Sequence, residues 1–316
     1  KVVKLLFRSE DDGLLDYQDD DGFKIEPKTY YPIIPTVLVN GADGIGTGFS
    51  TGVPNYNPLD LIDIILNKLD GKRSKELKPY YNGFKGEIIK FDDETYISKG
   101  IIRVDGNKLH ITELPVKVWT SEYKEFIESL IYEGASPFSS VNNLSSEKQV
   151  DFTLKINDLD AVKIMTETEY KPNITQLEKY LGLYKYIKIS NMHLFDKNNN
   201  ITKYNNPLEI LTDFYKLRLK KYDERKKLLL ELMKLDLDIQ ENKLNWLNLI
   251  LKGKIDLRKM ETDDLIKYLK KNKFNTKNES YDYLLNMTIK EMSKDSLNRL
   301  IEKIKKIKEY IDKLKK

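Results

Sequence analysis

Residues 34–57 read IPTVLVNGADGIGTGFSTGVPNYN, and how that stretch folds decides what kind of unit the chain carries. An apolar run from Ile33 to Val39 reads as a β-strand that feeds a loop with five glycines, at 41, 44, 46, 48 and 52. Glycine lets backbone approach a ligand closely and tolerates positive φ, so several readings compete. A dinucleotide-binding turn needs G-x-G-x-x-G, an immediate helix and a distal acid for the ribose. Here the spacing is G-x-x-G-x-G-x-G, and Pro54 and Pro58 interrupt any helix that would cradle a phosphate. A Walker loop is absent, because no Gly-Lys-Ser/Thr follows. A glycine-rich turn of purely structural purpose is the plain alternative. Against it stands Ile45, a branched apolar residue between Gly44 and Gly46 on an otherwise polar loop. Such a side chain either tucks back into the core or projects as a wedge, and apolar wedges between base steps kink duplex DNA. The surrounding amides, with Ser50 and Thr51, would then hold phosphates.

Outward from this loop, residues 29 to 208 alternate short strand-like runs with helical periods. The strands are expected at Gly86 to Phe91, Gly100 to Val104, Lys108 to Glu113 and Phe152 to Ile156, and the helices at Leu59 to Leu69, Ser121 to Tyr132 and Asn173 to Leu181. This is an α+β or α/β unit. Asn57 caps the first of these helices, with Pro58 at its first position. From Pro207 the pattern changes to long helix. Leu228, Leu232, Leu235, Ile239, Asn242, Trp246 and Leu249 form one heptad seam, and Leu297, Leu300, Ile304, Ile307, Ile311 and Leu314 form a second. Two seams around a mixed segment, Gly253 to Ser296, most simply pair antiparallel as an arm ending in a small helical head. The expected fold is therefore α+β, followed by a mainly α antiparallel coiled-coil arm with a helical head. Its parts are a linker with an acidic loop (1–28), an α+β domain (29–207), the arm (208–252 and 296–316) and the head (253–295).

Composition excludes more than it selects. The 316 residues contain no cysteine and two histidines, His110 and His193, which removes disulfide scaffolds, thiolate clusters and cysteine nucleophiles and leaves little for a histidine-built metal site. The net charge of +4 is too small to argue for nucleic acid without a local basic surface. No apolar run approaches the roughly 20 residues that span a bilayer, and Lys1 to Glu10 show no signal-peptide pattern, so a soluble intracellular protein is expected. Eight acids between residues 9 and 26 suggest an exposed loop, not a calcium site: counting back from Gly22 puts Tyr17 and Lys28 where an EF-hand needs acids. The chain opens without methionine and closes inside a helical repeat, so both ends read as cut.

IPTVLVNGADGIGTGFSTGVPNYNP resembles the segment just downstream of the catalytic tyrosine in type IIA DNA topoisomerases of the eukaryotic and large-virus kind. Five further blocks follow in family order. KPYYNGFKGEI (78–88) is similar to a Pro-Trp-Tyr-Arg-Gly-Phe element, with Tyr80 in place of the tryptophan. ITELPVKVWT (111–120), SNMHLFD (190–196), FYKLRLKKYDERKKLL (214–229) and YDYLLNM (281–287) are the others. The last two resemble the helix leaving the tower domain and the element of the exit gate.

The resemblance implies a fragment of an ATP-dependent enzyme that binds and bends a gate duplex and forms an exit gate during strand passage. It makes Ile45 the bending wedge, and Asn40, Gly41, Gly44, Gly46, Thr47, Gly48, Ser50 and Thr51 the DNA-binding loop. Tyr281, Asp282, Tyr283, Leu284, Leu285 and Met287 become the dimer contact. The catalytic tyrosine would lie just before Lys1. Magnesium and ATP would be cofactors of the whole enzyme, held by preceding domains and by no residue of this chain, so the fragment is expected to be inactive alone. Implied partners are double-stranded DNA, a second copy, and the upstream ATPase, metal-binding and winged-helix domains of the same polypeptide, with no membrane; the implied location is the nucleus, or the cytoplasm if the source is viral. Two decoys are set aside: Asp158-Leu159-Asp160 reads as a surface turn and His193 as packing. A non-enzymatic coiled-coil scaffold and an architectural DNA bender remain the alternative classes.

Overall fold

In a computed structural model, the structure describes residues 2–73, 75–132, 135–257 and 259–316. The chain divides into two compact units, one of residues 1–6 and 32–218 and one of residues 7–31 and 219–316.

The first unit is built on antiparallel sheets. Strands Glu87–Lys90, Thr95–Lys99 and Tyr184–Lys188 form a three-stranded sheet with Thr95–Lys99 at its centre. A four-stranded sheet runs in the order Ile101–Asp105, Lys108–Glu113, Phe152–Ile156, Phe138–Asn143. Side chains alternate between the faces of a strand, so Leu109 and Ile111 turn inward with Phe152, Leu154 and Ile156, all buried. Helix Thr120–Tyr132 contributes Tyr123 and Ile127 to that core. Helix Pro58–Leu69 starts as its sequence expects: the Asn57 side chain accepts from the Leu59 amide at 2.9 Å, with Pro58 in the first turn. Its Leu61 and Ile64 enter a second core with Leu38, Val53 and Met192.

Four expectations are corrected. The run Ile33–Val39 is not a strand. Pro35 precedes a short helix, Thr36–Asn40, in which Leu38 is fully buried; tertiary packing of that side chain overrides the β-preference of Val37 and Val39. The helix expected from Asn173 shrinks to Gln176–Tyr180, because Thr175 is extended and closes a capping box with Glu178, while Ile174–Thr175 pairs with Glu169–Lys171.

The acidic segment is largely exposed, as expected, but it is not a loop. Tyr17–Asp20 and Phe23–Pro27 form a hairpin, turned by Asp21 and Gly22, both at positive φ, which is the two-residue turn that Asp-Gly favours. Within the second unit this segment is anchored: Asp11 is buried with the Arg225 guanidinium 3.4 Å from its carboxylate, and the Lys221 ammonium sits 4.7 Å from the centre of the Tyr31 ring.

The fourth correction concerns the arm. Helix Pro207–Leu251 is 45 residues long and helix Lys294–Lys315 is 22. Lys303 reaches Asp236 at 3.8 Å and the Lys226 ammonium donates to the Lys315 carbonyl at 3.3 Å, which sets the two helices antiparallel. Ile304, Ile307 and Ile311 are buried as the second seam requires. In the long helix, however, Leu232 and Leu235 are 49% and 61% exposed. The other five residues of that expected seam, Leu228, Ile239, Asn242, Trp246 and Leu249, are half-buried or buried, and so is the offset set Leu230, Met233, Leu237, Gln240, Leu244 and Leu247. Both sets keep the three-four spacing of a heptad; Gln240 hides the offset one from a hydrophobicity count.

The head packs helix Thr262–Lys271 and the turn Asp282–Leu285 on Trp246. Leu265, Leu269, Tyr281, Leu284 and Met287 close its core. The Trp246 ring meets Phe274 edge-on at 6.1 Å.

Candidate nucleic-acid interface

The glycine segment is itself a hairpin. Strands Ala42–Ile45 and Ser50–Val53 pair antiparallel, Ile45 opposite Ser50, and the Gly46 amide donates to the Phe49 carbonyl at 2.8 Å. Ile45 therefore sits at the last pair before the tip, and it is 92% exposed. Phe49, also at the tip, is half exposed. The alternative in which Ile45 tucks into the core does not occur. An isoleucine left in water forgoes about 1.5–3 kcal/mol of burial free energy, so the fold holds an apolar tip out at a cost.

The hairpin is held from its base. Gly41 ends the preceding helix at φ 69° and ψ 174°, and a Cβ there would lie 2.5 Å from the Asn55 Oδ1 and 2.8 Å from the Val53 carbonyl. The Asn55 amide in turn donates to the carbonyls of Asn40 at 2.9 Å and Val39 at 3.3 Å. By contrast, an added Cβ at Gly44 would meet nothing within 4 Å, and one at Gly46 only the Phe49 carbonyl at 3.8 Å. Neither glycine beside Ile45 is required by contacts within the chain. They leave the flanks of Ile45 bare.

A third strand stiffens the hairpin. Met192–Phe195, paired with Ile201–Tyr204, lies along Ser50–Val53, and the Gly52 amide donates to the Asn191 carbonyl at 2.7 Å. The Asn191 amide donates to the Ser50 Oγ at 2.9 Å, and the His193 backbone amide to the Thr51 Oγ1 at 3.2 Å. The His193 Nδ1 lies 3.0 Å from both the Ser50 carbonyl and the Asn191 Oδ1. Both are acceptors, so Nδ1 carries the proton. Phe49 meets the His193 ring edge-on. The hydroxyls of Ser50 and Thr51 are used here as acceptors, which leaves each proton available to a phosphate oxygen. On the other strand, the Lys117 ammonium pairs with the Asp43 carboxylate.

Of the sequence-derived loop residues, Asn40, Gly44, Gly46, Thr47, Gly48 and Ser50 are exposed with Ile45, while Gly41 and Thr51 are half-buried at the base. Asn55, Lys117, Asn191 and His193 position this surface, and sequence reasoning does not single them out for it. The signal available for the last two is SNMHLFD itself, a polar Asn and His set in an apolar strand. The gate set divides: Tyr281, Leu284 and Met287 are buried in the head, Tyr283 and Leu285 are half-buried, and Asp282 is exposed. The Tyr281 hydroxyl donates to the Phe274 carbonyl at 3.2 Å and that of Tyr283 to the Asn275 carbonyl at 2.6 Å. Asp158 proves to be a helix cap, accepting from the Ala161 amide at 2.9 Å. Among the described residues no group of three or more His, Asp or Glu is placed to hold a metal, and no helix is long and apolar enough to cross a membrane.

Known proteins share this chain's sequence pattern and fold. The profile of the DNA gyrase/topoisomerase IV A-subunit family matches residues 1–316. The chain is 39% identical over 279 residues to DNA topoisomerase 2 of Arabidopsis thaliana, covering 86% of this chain and 18% of that protein. It is 35% identical over 319 residues to the mitochondrial DNA topoisomerase 2 of Dictyostelium discoideum, covering 97% of this chain and 24% of that one. Its fold is similar to the crystal structure of the DNA-binding, cleavage and re-ligation domain of Plasmodium falciparum topoisomerase II, with a TM-score of 0.86 at 32% identity, over 99% of this chain and 45% of that one.

Proposed function

The chain belongs to the DNA gyrase/topoisomerase IV A-subunit family, and from that membership we propose that it binds and bends the duplex that a type II topoisomerase opens, and contributes the exit gate of the same enzyme. The observation that carries the proposal is Ile45, 92% exposed on a braced hairpin between two glycines that nothing in the chain requires. Bending a site of 20–30 bp costs on the order of 1–6 kcal/mol. A rigid wedge offsets that cost only if phosphate contacts flank it, and the free hydroxyl protons of Ser50 and Thr51, with the amides of Thr47 and Gly48, supply donors beside it.

In the same proposal the antiparallel arm is a lever and the head meets its twin across a two-fold axis. Because Tyr281, Leu284 and Met287 are used inside the head, that contact falls to Asp282, Leu285 and the neighbouring Ile289, which is 90% exposed. Strand cleavage, magnesium and ATP belong in this proposal to other segments of the enzyme. The compartment follows the DNA: the nucleus, or the cytoplasm if the source is viral.

Salt dependence of duplex binding tests the proposal. Affinity for a short duplex should fall by orders of magnitude between about 50 and 200 mM salt, as phosphate contacts require. A chain that binds no duplex at low salt would instead be a scaffold.

A further inference from the structure

A cavity of about 240 Å³ opens on the first unit beside helix Pro58–Leu69. Tyr80, Tyr81 and Phe84 line it together with Asp60 and Lys78. The backbone that carries these rings is held by hydrogen bonds. The Tyr80 amide donates to the Asn55 carbonyl at 2.7 Å, and the Phe84 amide to the Tyr81 carbonyl at 3.1 Å. The Phe84 ring fills the space that a Cβ at Gly86 would need, 2.4 Å from its ideal position. Tyr81 is half-buried, and burial pushes its phenol up, so the ring stays neutral with its face electron-rich. Asp60 and Lys78 are exposed, and among the described residues neither has an ion-pair partner.

Three aromatic side chains grouped with an unpaired carboxylate are the set of groups that attracts an alkylated ammonium, through ring quadrupoles and a single counter-charge. An anion would face the same rings unfavourably, and a neutral apolar group would leave Asp60 without a role. We propose that this cavity is an aromatic cage for an alkylated ammonium group, such as a trimethylated lysine side chain of a protein partner, with Asp60 as its counter-charge and Lys78 opposing the cation. The inference does not rest on the DNA reading and is tested without DNA.

Calorimetric titration of the whole chain with a peptide carrying one trimethyllysine is the test, against the unmodified peptide and one in which carbon replaces the ammonium nitrogen. The trimethylated peptide should bind about tenfold tighter than either. Tyr80→Ala and Asp60→Asn should each weaken it about fivefold or more, Tyr80→Phe should preserve it, and Lys78→Gln should tighten it. Unchanged thermal midpoints in these variants show that the cage, not the fold, is being read. Competition by free choline at equal affinity supports the cage and identifies the small cation as its source. Equal binding of the carbon isostere, weaker binding by Lys78→Gln, or no saturable heat with any ligand overturns the proposal.

Discussion

Replacing Ile45 by alanine removes three carbons from a side chain that touches almost nothing in the folded chain. Because the residue is 92% exposed, folding stability should change by no more than about 0.5 kcal/mol. In the bent complex proposed above, the same three carbons would lie between bases. At about 0.8 kcal/mol for each buried methylene, their loss is worth about 2.4 kcal/mol, or roughly fifty-fold in affinity for the bent form at 1.4 kcal/mol per decade. The assay is energy transfer between dyes at the two ends of a duplex of about 30 bp, bound to the complete enzyme, with thermal unfolding alongside. The expected result is a smaller bend and weaker binding at an unchanged melting temperature. A bend angle equal to that of the unaltered enzyme would refute the wedge. Equal loss of stability and binding would mean that Ile45 serves the fold.

Gly41→Ala should destabilise the first unit by about 2–3 kcal/mol in chemical denaturation, since φ 69° with ψ 174° is nearly closed to other residues and the new Cβ meets Asn55; a loss below about 0.5 kcal/mol would contradict the geometry. In the arm, Leu235→Ser should be nearly neutral, while Ile307→Ala, at a buried seam position, should cost about 2–3 kcal/mol. A cost at Leu235 equal to that at Ile307 would restore Leu235 to the seam expected from sequence. The Asp196 carboxyl is held below its ordinary value of 3.8, first by the amide of Asn200 and then by that of Asn198, at 2.9 and 2.8 Å. A lowered carboxylate stabilises the folded form above its ordinary value, and that contribution is lost as pH falls through the lower folded value. The turn joining Met192–Phe195 to Ile201–Tyr204 should therefore loosen in acid below about pH 3.8, seen as faster amide exchange at Asn198 and Asn200, and Asp196→Asn should remove the pH dependence.

Much of this molecule is legible before any fold is known, wherever the interaction is local. Asn57-Pro58 announces a helix start because the cap bond spans two residues, and the alternation from Phe152 to Ile156 needs only the pleat of a strand. The return-helix isoleucines declare their seam because no other residue competes for that face. Asp21-Gly22 carries an equally local hairpin signal, masked by the surrounding acids. The rest is settled by contacts distant in sequence. The helix at Thr36–Asn40 exists because Leu38 finds a core built from residues as far away as Leu211, and β-propensity has no means of registering that. Leu232 and Leu237 satisfy the same heptad arithmetic, so only the facing helix chooses between them. Composition and spacing mark Ile45 as an oddity with two fates, inward or outward. The outward one is decided by Asn191 and His193, some 140 positions along the chain, whose hydrogen bonds brace the hairpin while its apolar tip stays in solvent.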